Sequence, residues 1–236
     1  ILLETLGLKD FQPSQENIKI NSFKNSFLAT GRLDAEYYQP KYEEIENLIL
    51  NFADGYSFVY KEFEHNKTTI DYSAKQYNYI EIGDVNVGNG AYSYNLIDTE
   101  ELPANAKIKA RKNNILVSKV RPNRGAISIM QEEIPNLVVS GAFTVLQEKN
   151  DCKKETLFVF LRLEIIRDLL LKYNVGTSYP VVKDEDVLNL PIPLINNDIQ
   201  QQIASLISES FALRSESEKL LQEVKEMVER EIEKMK

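Results

Sequence analysis

The C-terminal part of the chain constrains the fold most, because residues 194–236 contain neither glycine nor proline. Apolar residues recur there at alternating steps of three and four, which is the repeat of a heptad seam. At the standard rise of an α-helix, residues 198–236 would form a rod about 58 Å long. The seam positions predicted to pack against a partner helix are Ile199, Ile203, Leu206, Leu213, Leu220, Val224 and Met227.

A second apolar row lies beside this seam and comprises Ile207, Leu221, Val228, Ile232 and Met235. It widens the apolar face, so we expect the rod to pack against more than one helix or against its own globular domain. A lone polar helix of this kind is hardly stable in water. The sequence therefore predicts a partner helix, in this chain or in another.

The chain as a whole predicts three parts. Residues 1–30 read as a helical stub and linker, residues 31–194 as a globular domain, and residues 195–236 as the long helix. The hydrophobic fraction of 43% is ordinary for a globular protein. No apolar run approaches the roughly 20 residues of a membrane span, so we expect a soluble, cytoplasmic protein without a membrane partner.

The globular domain is predicted to be α/β (α+β), with a bent, mostly antiparallel sheet and flanking helices. Helical spacing predicts helices over residues 41–52, 155–173 and 184–188. The prolines within residues 190–194 require extended backbone there. Short β-type runs broken by turn residues predict strands at 79–82, 115–120, 126–130, 137–139 and 142–146.

Residues 102–131, called the basic segment below, differ in charge from the rest of the chain. They hold seven Lys and Arg and no Asp or Glu, whereas the other residues hold 21 basic against 36 acidic side chains. Such segregation suggests one surface that binds a polyanion. An ordinary solvated strand and loop is the alternative interpretation.

Within the basic segment, a strand over residues 118–123 would present two different faces. One face would carry Ser118, Val120 and Pro122. The other would carry Lys119, Arg121 and Asn123. Arg and Lys can bond the major-groove edge of guanine, Asn can pair with adenine, and neighbouring cations can hold phosphates. The sequence leaves open which side chain does which.

Two loops supply small residues and backbone N–H groups that would let a nucleic-acid strand approach closely, although plain turns explain them equally well. They are Ser140–Ala142 and Gly176–Tyr179. The complete set of candidate DNA contacts is Lys107, Lys109, Arg111, Lys112, Ser118, Lys119, Arg121, Asn123, Arg124, Gly176, Thr177, Ser178, Tyr179 and Lys183.

Catalytic chemistry finds little support in the sequence. The single His65 has no nucleophile or metal-ligand companion at a recognisable spacing, and we interpret it as a surface residue. The lone Cys152 is interpreted as an incidental thiol in a reducing compartment. Glu223–Lys225 has the Glu-x-Lys form of some nucleases but lies in the predicted rod, where pairing on a helix surface explains it. We therefore expect no catalytic residues, no metal and no cofactor.

Seven short segments, taken in order, resemble one family: the DNA-specificity subunits of type I restriction-modification systems. They are RLDAEYYQPKY (32–42), YIEIGDV (79–85), ILVSKVR (115–121), VSGAF (139–143), GTSYP (176–180), LPIPL (190–194) and IQQQI (199–203). The match runs from about Gly31 to Lys236.

This resemblance implies that residues 31–194 are a target recognition domain that reads half of a split DNA site. The long helix would then space this domain from a second one and dock methyltransferase subunits. The implied partners are double-stranded DNA, adenine methyltransferase subunits, a restriction subunit, and a second recognition domain in the same parent chain or in a homodimer. The helical stub and a first residue that is not Met favour a two-domain parent over a half-subunit.

The net charge of −8 departs from what a lone DNA-binding protein would carry. It suggests weak affinity in isolation, with partners supplying many phosphate contacts. A competing interpretation is a coiled-coil adaptor whose globular domain binds a peptide or protein. A nuclease or methyltransferase fragment would need motifs that the chain does not show.

Overall fold

The computed structural model describes residues 1–176 and 178–234. Its α-helices are α1 Leu2–Thr5, α2 Phe27–Thr30, α3 Pro40–Leu50, α4 Val59–Glu62, α5 Lys154–Arg162, α6 Glu164–Leu171, α7 Asp184–Leu188 and α8 Asn197–Lys234. Its strands are β1 Tyr56–Phe58, β2 Phe63–His65, β3 Gln76–Ile80, β4 Asn95–Asp98, β5 Ala106–Lys109, β6 Ile115–Ser118, β7 Ile127–Ile129, β8 Leu137–Ser140, β9 Phe143–Glu148 and β10 Pro191–Pro193.

Two four-stranded sheets form the centre of the fold, in the orders β2-β9-β6-β7 and β4-β3-β8-β5. Neighbouring strands in them are antiparallel except for the parallel pair β3 and β8. Only Gly141 and Ala142 separate β8 from β9, so the chain turns there from one sheet into the other. The predicted mixed fold with a bent, mostly antiparallel sheet is confirmed.

Strand β6 is buried along its whole length because both faces of its sheet are covered. Ile115 and Val117 belong to the core that the sheet shares with the helices, whereas Leu116 faces a second core on the other side. This alternation is the side-chain period of a strand. It explains why the first three residues of β6, Ile115 to Val117, are all apolar and do not alternate with polar residues.

The predicted single helix over residues 155–173 is wrong, because α5 and α6 are separate. Leu163 between them has extended backbone, with φ −61° and ψ 134°. Helix α5 contacts β7 and α8, while α6 contacts α3. A single straight helix could not follow both surfaces, so tertiary packing overrides a helical sequence pattern at this residue.

Helix α8 is confirmed, and its two ends differ in surroundings. Ile203 is only 4% exposed and belongs to the main core, with Ile199 packed partly against it. The later seam side chains are 52–62% exposed: Leu206, Leu213, Leu220, Val224 and Met227. The first turns of the helix therefore pack on the chain's own domain, and the rest of the seam presents an apolar face to solvent.

The segments that flank the domain also pack on it. Strand β10 pairs with β1, which confirms extended backbone across the two prolines. Leu2, Leu6 and Leu8 are buried in the same core as Ile203. Within the described part of the chain, no helix is long and apolar enough to cross a membrane.

Candidate nucleic-acid interface

A hollow of about 630 Å³ opens where the basic segment passes the loop that precedes α7. Arg121, Arg124 and Tyr179 line it, and we call it the Arg121 hollow. The other lining residues are mostly apolar: Ile82, Gly83, Val85, Asn86, Val87, Val120 and Ala126. The guanidinium carbon of Arg121 lies 5.6 Å from the centre of the Tyr179 ring, within the range of a cation–π contact.

Backbone pairing fixes the two segments that form this hollow. The Arg121 N–H donates to the carbonyl of Pro180 at 2.7 Å, and the Val182 N–H donates to the carbonyl of Lys119 at 2.9 Å. An isolated bridge joins Val120 to Val181 between these bonds. Tyr179 and Pro180 therefore lie beside Arg121.

The predicted strand over residues 118–123 is wrong beyond Ser118. Strand β6 ends at Ser118, whose side chain is buried, and Pro122–Arg124 forms a short 3-10 turn. Proline has no N–H for strand pairing, and its ring fixes φ near the helical value. Because the chain turns here, Arg121 and Arg124 line the same hollow although they are not two residues apart.

Two arginines, one in α5 and one in α6, donate hydrogen bonds to the backbone of this turn. Arg162 Nη1 donates to the carbonyl of Gly125 at 3.1 Å, and Arg167 Nη1 donates to that of Asn123 at 3.2 Å. They orient the turn that carries Arg124. Sequence reasoning did not identify Arg162 and Arg167 as part of the site. Each contacts a turn about 40 residues away along the chain, and such a contact leaves no local sequence pattern.

A second hollow, of about 570 Å³, adjoins the first through Val120. We call it the Lys119 hollow, because Lys107, Lys119 and Lys183 line it. Two carboxylates, Asp184 and Glu185, lie in the same wall. The remaining lining residues are Asn105, Gly141, Ala142, Val181 and Val182. Unlike the Arg121 hollow, this one has both signs of charge.

Asp184 is the centre of a network at the edge of this hollow. Its carboxylate accepts hydrogen bonds from Lys119 Nζ at 3.0 Å and from Thr144 Oγ1 at 2.7 Å. His65 Nε2 lies 3.6 Å from the same carboxylate. The Lys119 side chain is 17% exposed and that of Asp184 is 28% exposed. Lys119 is thus an ion-paired, largely buried lysine rather than a free surface cation.

The interpretation of His65 as a surface residue is wrong, because its side chain is only 10% exposed. Burial lowers the pKa of His65, and the neighbouring Asp184 carboxylate opposes that shift. The imidazole is therefore neutral near pH 7. Its Nδ1 atom is buried and has no hydrogen-bond partner among the described residues.

The third hollow, of about 610 Å³, is lined in part by His65. We call it the Lys109 hollow, and its cations are Lys67, Lys109 and Arg111. Its other lining residues are Glu64, His65, Asn66, Thr68, Ala110 and Gln147. Lys67 was not among the predicted contacts, because it lies outside the basic segment and no local motif marks it.

The seven cations of the basic segment are not equivalent. Lys109 pairs with Asp71 at 3.2 Å and Lys119 pairs with Asp184. Across residues 1–176 and 178–234, no carboxylate oxygen lies within 4.0 Å of the charged nitrogen atoms of the other five, which are Lys107, Arg111, Lys112, Arg121 and Arg124. All five are exposed. Lys112 lines none of the three hollows.

Three backbone N–H groups of the two small-residue loops already donate hydrogen bonds within the chain. The Gly141 N–H donates to the carbonyl of Asn105 at 2.7 Å, and the Ala142 N–H to Ser140 Oγ at 3.2 Å. The Gly176 N–H donates to Asn174 Oδ1 at 2.7 Å. Ser178 is exposed, and Thr177 lies outside the described residues. The loops contribute Tyr179 to the Arg121 hollow, and Gly141 and Ala142 to the Lys119 hollow.

The chain is similar to known proteins of one family. The family model for the type I restriction modification DNA specificity domain matches residues 45–226. The type I restriction enzyme HindI specificity subunit of Haemophilus influenzae is 27% identical over 134 residues, which cover 55% of this chain and 29% of that protein.

Two solved structures share the fold. The HsdS subunit from Thermoanaerobacter tengcongensis superimposes with a TM-score of 0.56 at 22% identity, covering 70% of this chain and 45% of that one. A chain from a structure on complex assembly and conformational transition of the type I R-M system gives a TM-score of 0.53 at 20% identity, covering 71% and 43%. The chain spans less than half the length of each of these relatives. Since the family model matches well over half of the sequence, the chain belongs to the type I restriction modification DNA specificity domain family.

Proposed function

We propose that residues 31–194 form a target recognition domain that reads one half of a split DNA site. It would direct the adenine methyltransferase and restriction subunits of a type I system to that site, and its own role would be binding without catalysis. The observation that carries this proposal is a set of exposed cations without an ion-pair partner among the described residues: Arg121 and Arg124 line the Arg121 hollow, Lys107 lines the Lys119 hollow that adjoins it, and Arg111 lines the Lys109 hollow. Such a surface attracts phosphates and can also offer donors to base edges.

The contacts within this surface would divide into two kinds. Arg121 is the best candidate for reading a base, because its backbone is pinned to Pro180 and its guanidinium lies at the Tyr179 ring. The apolar floor of its hollow also suits the methyl group of thymine. Lys107, Arg111 and Lys112 are exposed and suit phosphates, which require charge but little precision in position.

Helix α8 would serve as the spacer. Its exposed apolar seam from Leu206 to Met227 has no covering element among the described residues. A second helix would remove this face from water, either from the parent chain or from another copy. The same helix would carry contacts to the methyltransferase subunits.

The direct test is substitution of Arg121 in the complex reconstituted with the methyltransferase subunits of the same system. Arg121→Ala should cost roughly 1–3 kcal/mol at one base pair if the side chain reads a base edge, and weaken all sequences alike if it contacts phosphate. The measurement is the rate of adenine methylation on a pool of duplexes with randomised sequence. Lys149→Ala is a matched control, because Lys149 is exposed and lines none of the three hollows.

An unaltered methylation rate and site preference in Arg121→Ala would count against both roles. Cross-linking to duplex DNA then separates recognition from the adaptor alternative. If the complex cross-links to DNA equally well with and without this chain, the adaptor interpretation is favoured.

A further inference from the structure

A carboxylate lines one of the hollows of the proposed DNA-binding surface. Asp184 is the first residue of α7 and lines the Lys119 hollow together with three lysines. A carboxylate close to a phosphate weakens binding, because like charges repel. A surface that only attracted the DNA backbone would gain nothing from Asp184, so the residue needs another explanation.

The network around Asp184 joins elements that are distant in sequence. Thr144 lies on β9, His65 ends β2 and Lys119 follows β6, so three strands meet at one carboxylate on a helix. Thr144 is fully buried, and its hydroxyl fixes the carboxylate by the 2.7 Å hydrogen bond. His65 is neutral near pH 7 because burial lowers its pKa. The charge of Asp184 is therefore balanced by Lys119, the one cation in contact with it among the described residues.

This arrangement changes what Lys119 can do. With its charge offset, the ammonium adds little to nonspecific attraction for phosphates. An ammonium group has three N–H donors, and a donor that Asp184 does not bind remains available to the hollow. A fixed donor in a largely buried position discriminates between bases, because the wrong base leaves it without a partner.

We propose that Asp184 is a positioning residue that holds Lys119 as a donor to the acceptor edge of a guanine in the major groove. The inference rests on the proposed function. The O6 and N7 atoms of guanine are acceptors of this kind. Lys119 would thus contribute sequence preference, whereas the unpaired cations of the surface contribute affinity.

The chain contains a matched pair for comparison. Asp71 lies 3.2 Å from Lys109, nearly the same distance, but these side chains are 60% and 44% exposed. An exposed pair is solvated, screened by salt and weakly constrained in geometry. Asp71 should therefore not position Lys109 for reading a base.

The experiment measures base preference and salt dependence for the complex with methyltransferase subunits, using the randomised duplex pool. Asp184→Asn should lose roughly tenfold to hundredfold of the preference for guanine at one position. Its binding to nonspecific duplex should become tighter, with a salt slope steeper by about one, because Lys119 is freed to contact phosphate. Asp71→Asn should leave the base preference unchanged.

A double-mutant cycle tests whether Asp184 acts through Lys119. Lys119→Met should lose the same preference, and adding Asp184→Asn to it should lose nothing more. Thr144→Val keeps both charges and nearly the same shape, so it should give a smaller loss at the same base pair. This variant keeps the test decisive if Asp184→Asn folds poorly, which its thermal unfolding would reveal.

Wild-type base preference in Asp184→Asn or additive losses in the cycle would overturn the inference. A change in unfolding temperature without a change in preference would also overturn it, because it would indicate a purely structural role. Failure of the proposed function looks different: the unsubstituted complex would then show no sequence preference to lose.

Discussion

At the scale of single residues, Arg121 combines a strained backbone with a candidate base contact. Its φ of 50° and ψ of 54° lie in the left-handed region, which non-glycine residues rarely adopt. Such conformations cost of order 1–3 kcal/mol and persist where the surrounding structure enforces them. Pairing with Pro180 and the turn that begins at Pro122 enforce it here.

Arg121→Gly should therefore separate stability from function. Glycine adopts positive φ without penalty, so the free energy of unfolding should stay the same or rise by up to about 1 kcal/mol. Base preference should fall, because the guanidinium is lost. Chemical denaturation measures the change in stability, and methylation of the randomised pool measures the change in base preference. Tyr72→Gly is the control, because Tyr72 also has a positive φ, of 55°, but lines none of the three hollows. A large loss of stability in Arg121→Gly would contradict this account of the backbone.

The sequence could not predict which charged side chains of the site form ion pairs. The composition of the basic segment identified the cations, but Lys119 and Asp184 are 65 positions apart and Lys109 and Asp71 are 38 apart. Ion pairs over such separations depend on the fold and leave no local pattern. For the same reason His65 looked like a surface residue.

At the scale of elements, sequence periodicity predicted which helices and strands are present better than it predicted the residues at which they begin and end. The helical spacing of α3 and α8 and the prolines of β10 depend on local backbone chemistry, and these elements are present as predicted. The end of β6 at Ser118 and the break at Leu163 depend on tertiary packing and on a turn. Those two features decide where Arg121 and Arg167 lie, so the site was harder to predict than the fold.

Helix α8 allows a comparison of two seam positions with different roles. Ile203→Ala should lower the free energy of unfolding of the chain by about 2–5 kcal/mol, because it leaves a cavity in the core. Leu213→Ala should change it by less than about 0.5 kcal/mol, since Leu213 is 59% exposed. Leu213→Ala should instead weaken association with the partner helix or subunits. Denaturation of the isolated chain measures stability, and pull-down with methyltransferase subunits measures association. Equal effects of the two substitutions on stability would contradict the division of α8 into a part packed on the domain and an exposed part.

At the scale of the whole molecule, a net charge of −8 coexists with a locally basic surface. The purified chain should therefore bind duplex DNA weakly, because five exposed cations can make only a few phosphate contacts. Its affinity should also fall as salt rises, because each of these contacts releases about one counterion. Adding methyltransferase subunits should raise the affinity and recruit further phosphate contacts. Titration of labelled duplex at 50 and 200 mM salt measures both effects. Tight binding by the chain alone that resists salt would refute this division of labour.

We propose that residues 31–194 carry the preference for one half of a split DNA site. The most direct measurement is a graft of these residues into a two-domain specificity subunit in place of one of its recognition domains, followed by sequencing of the methylated adenines. We expect one half of the methylated site to change and the other half to be retained. An unchanged site, or loss of all methylation by a graft that still assembles with the methyltransferase subunits, would contradict it.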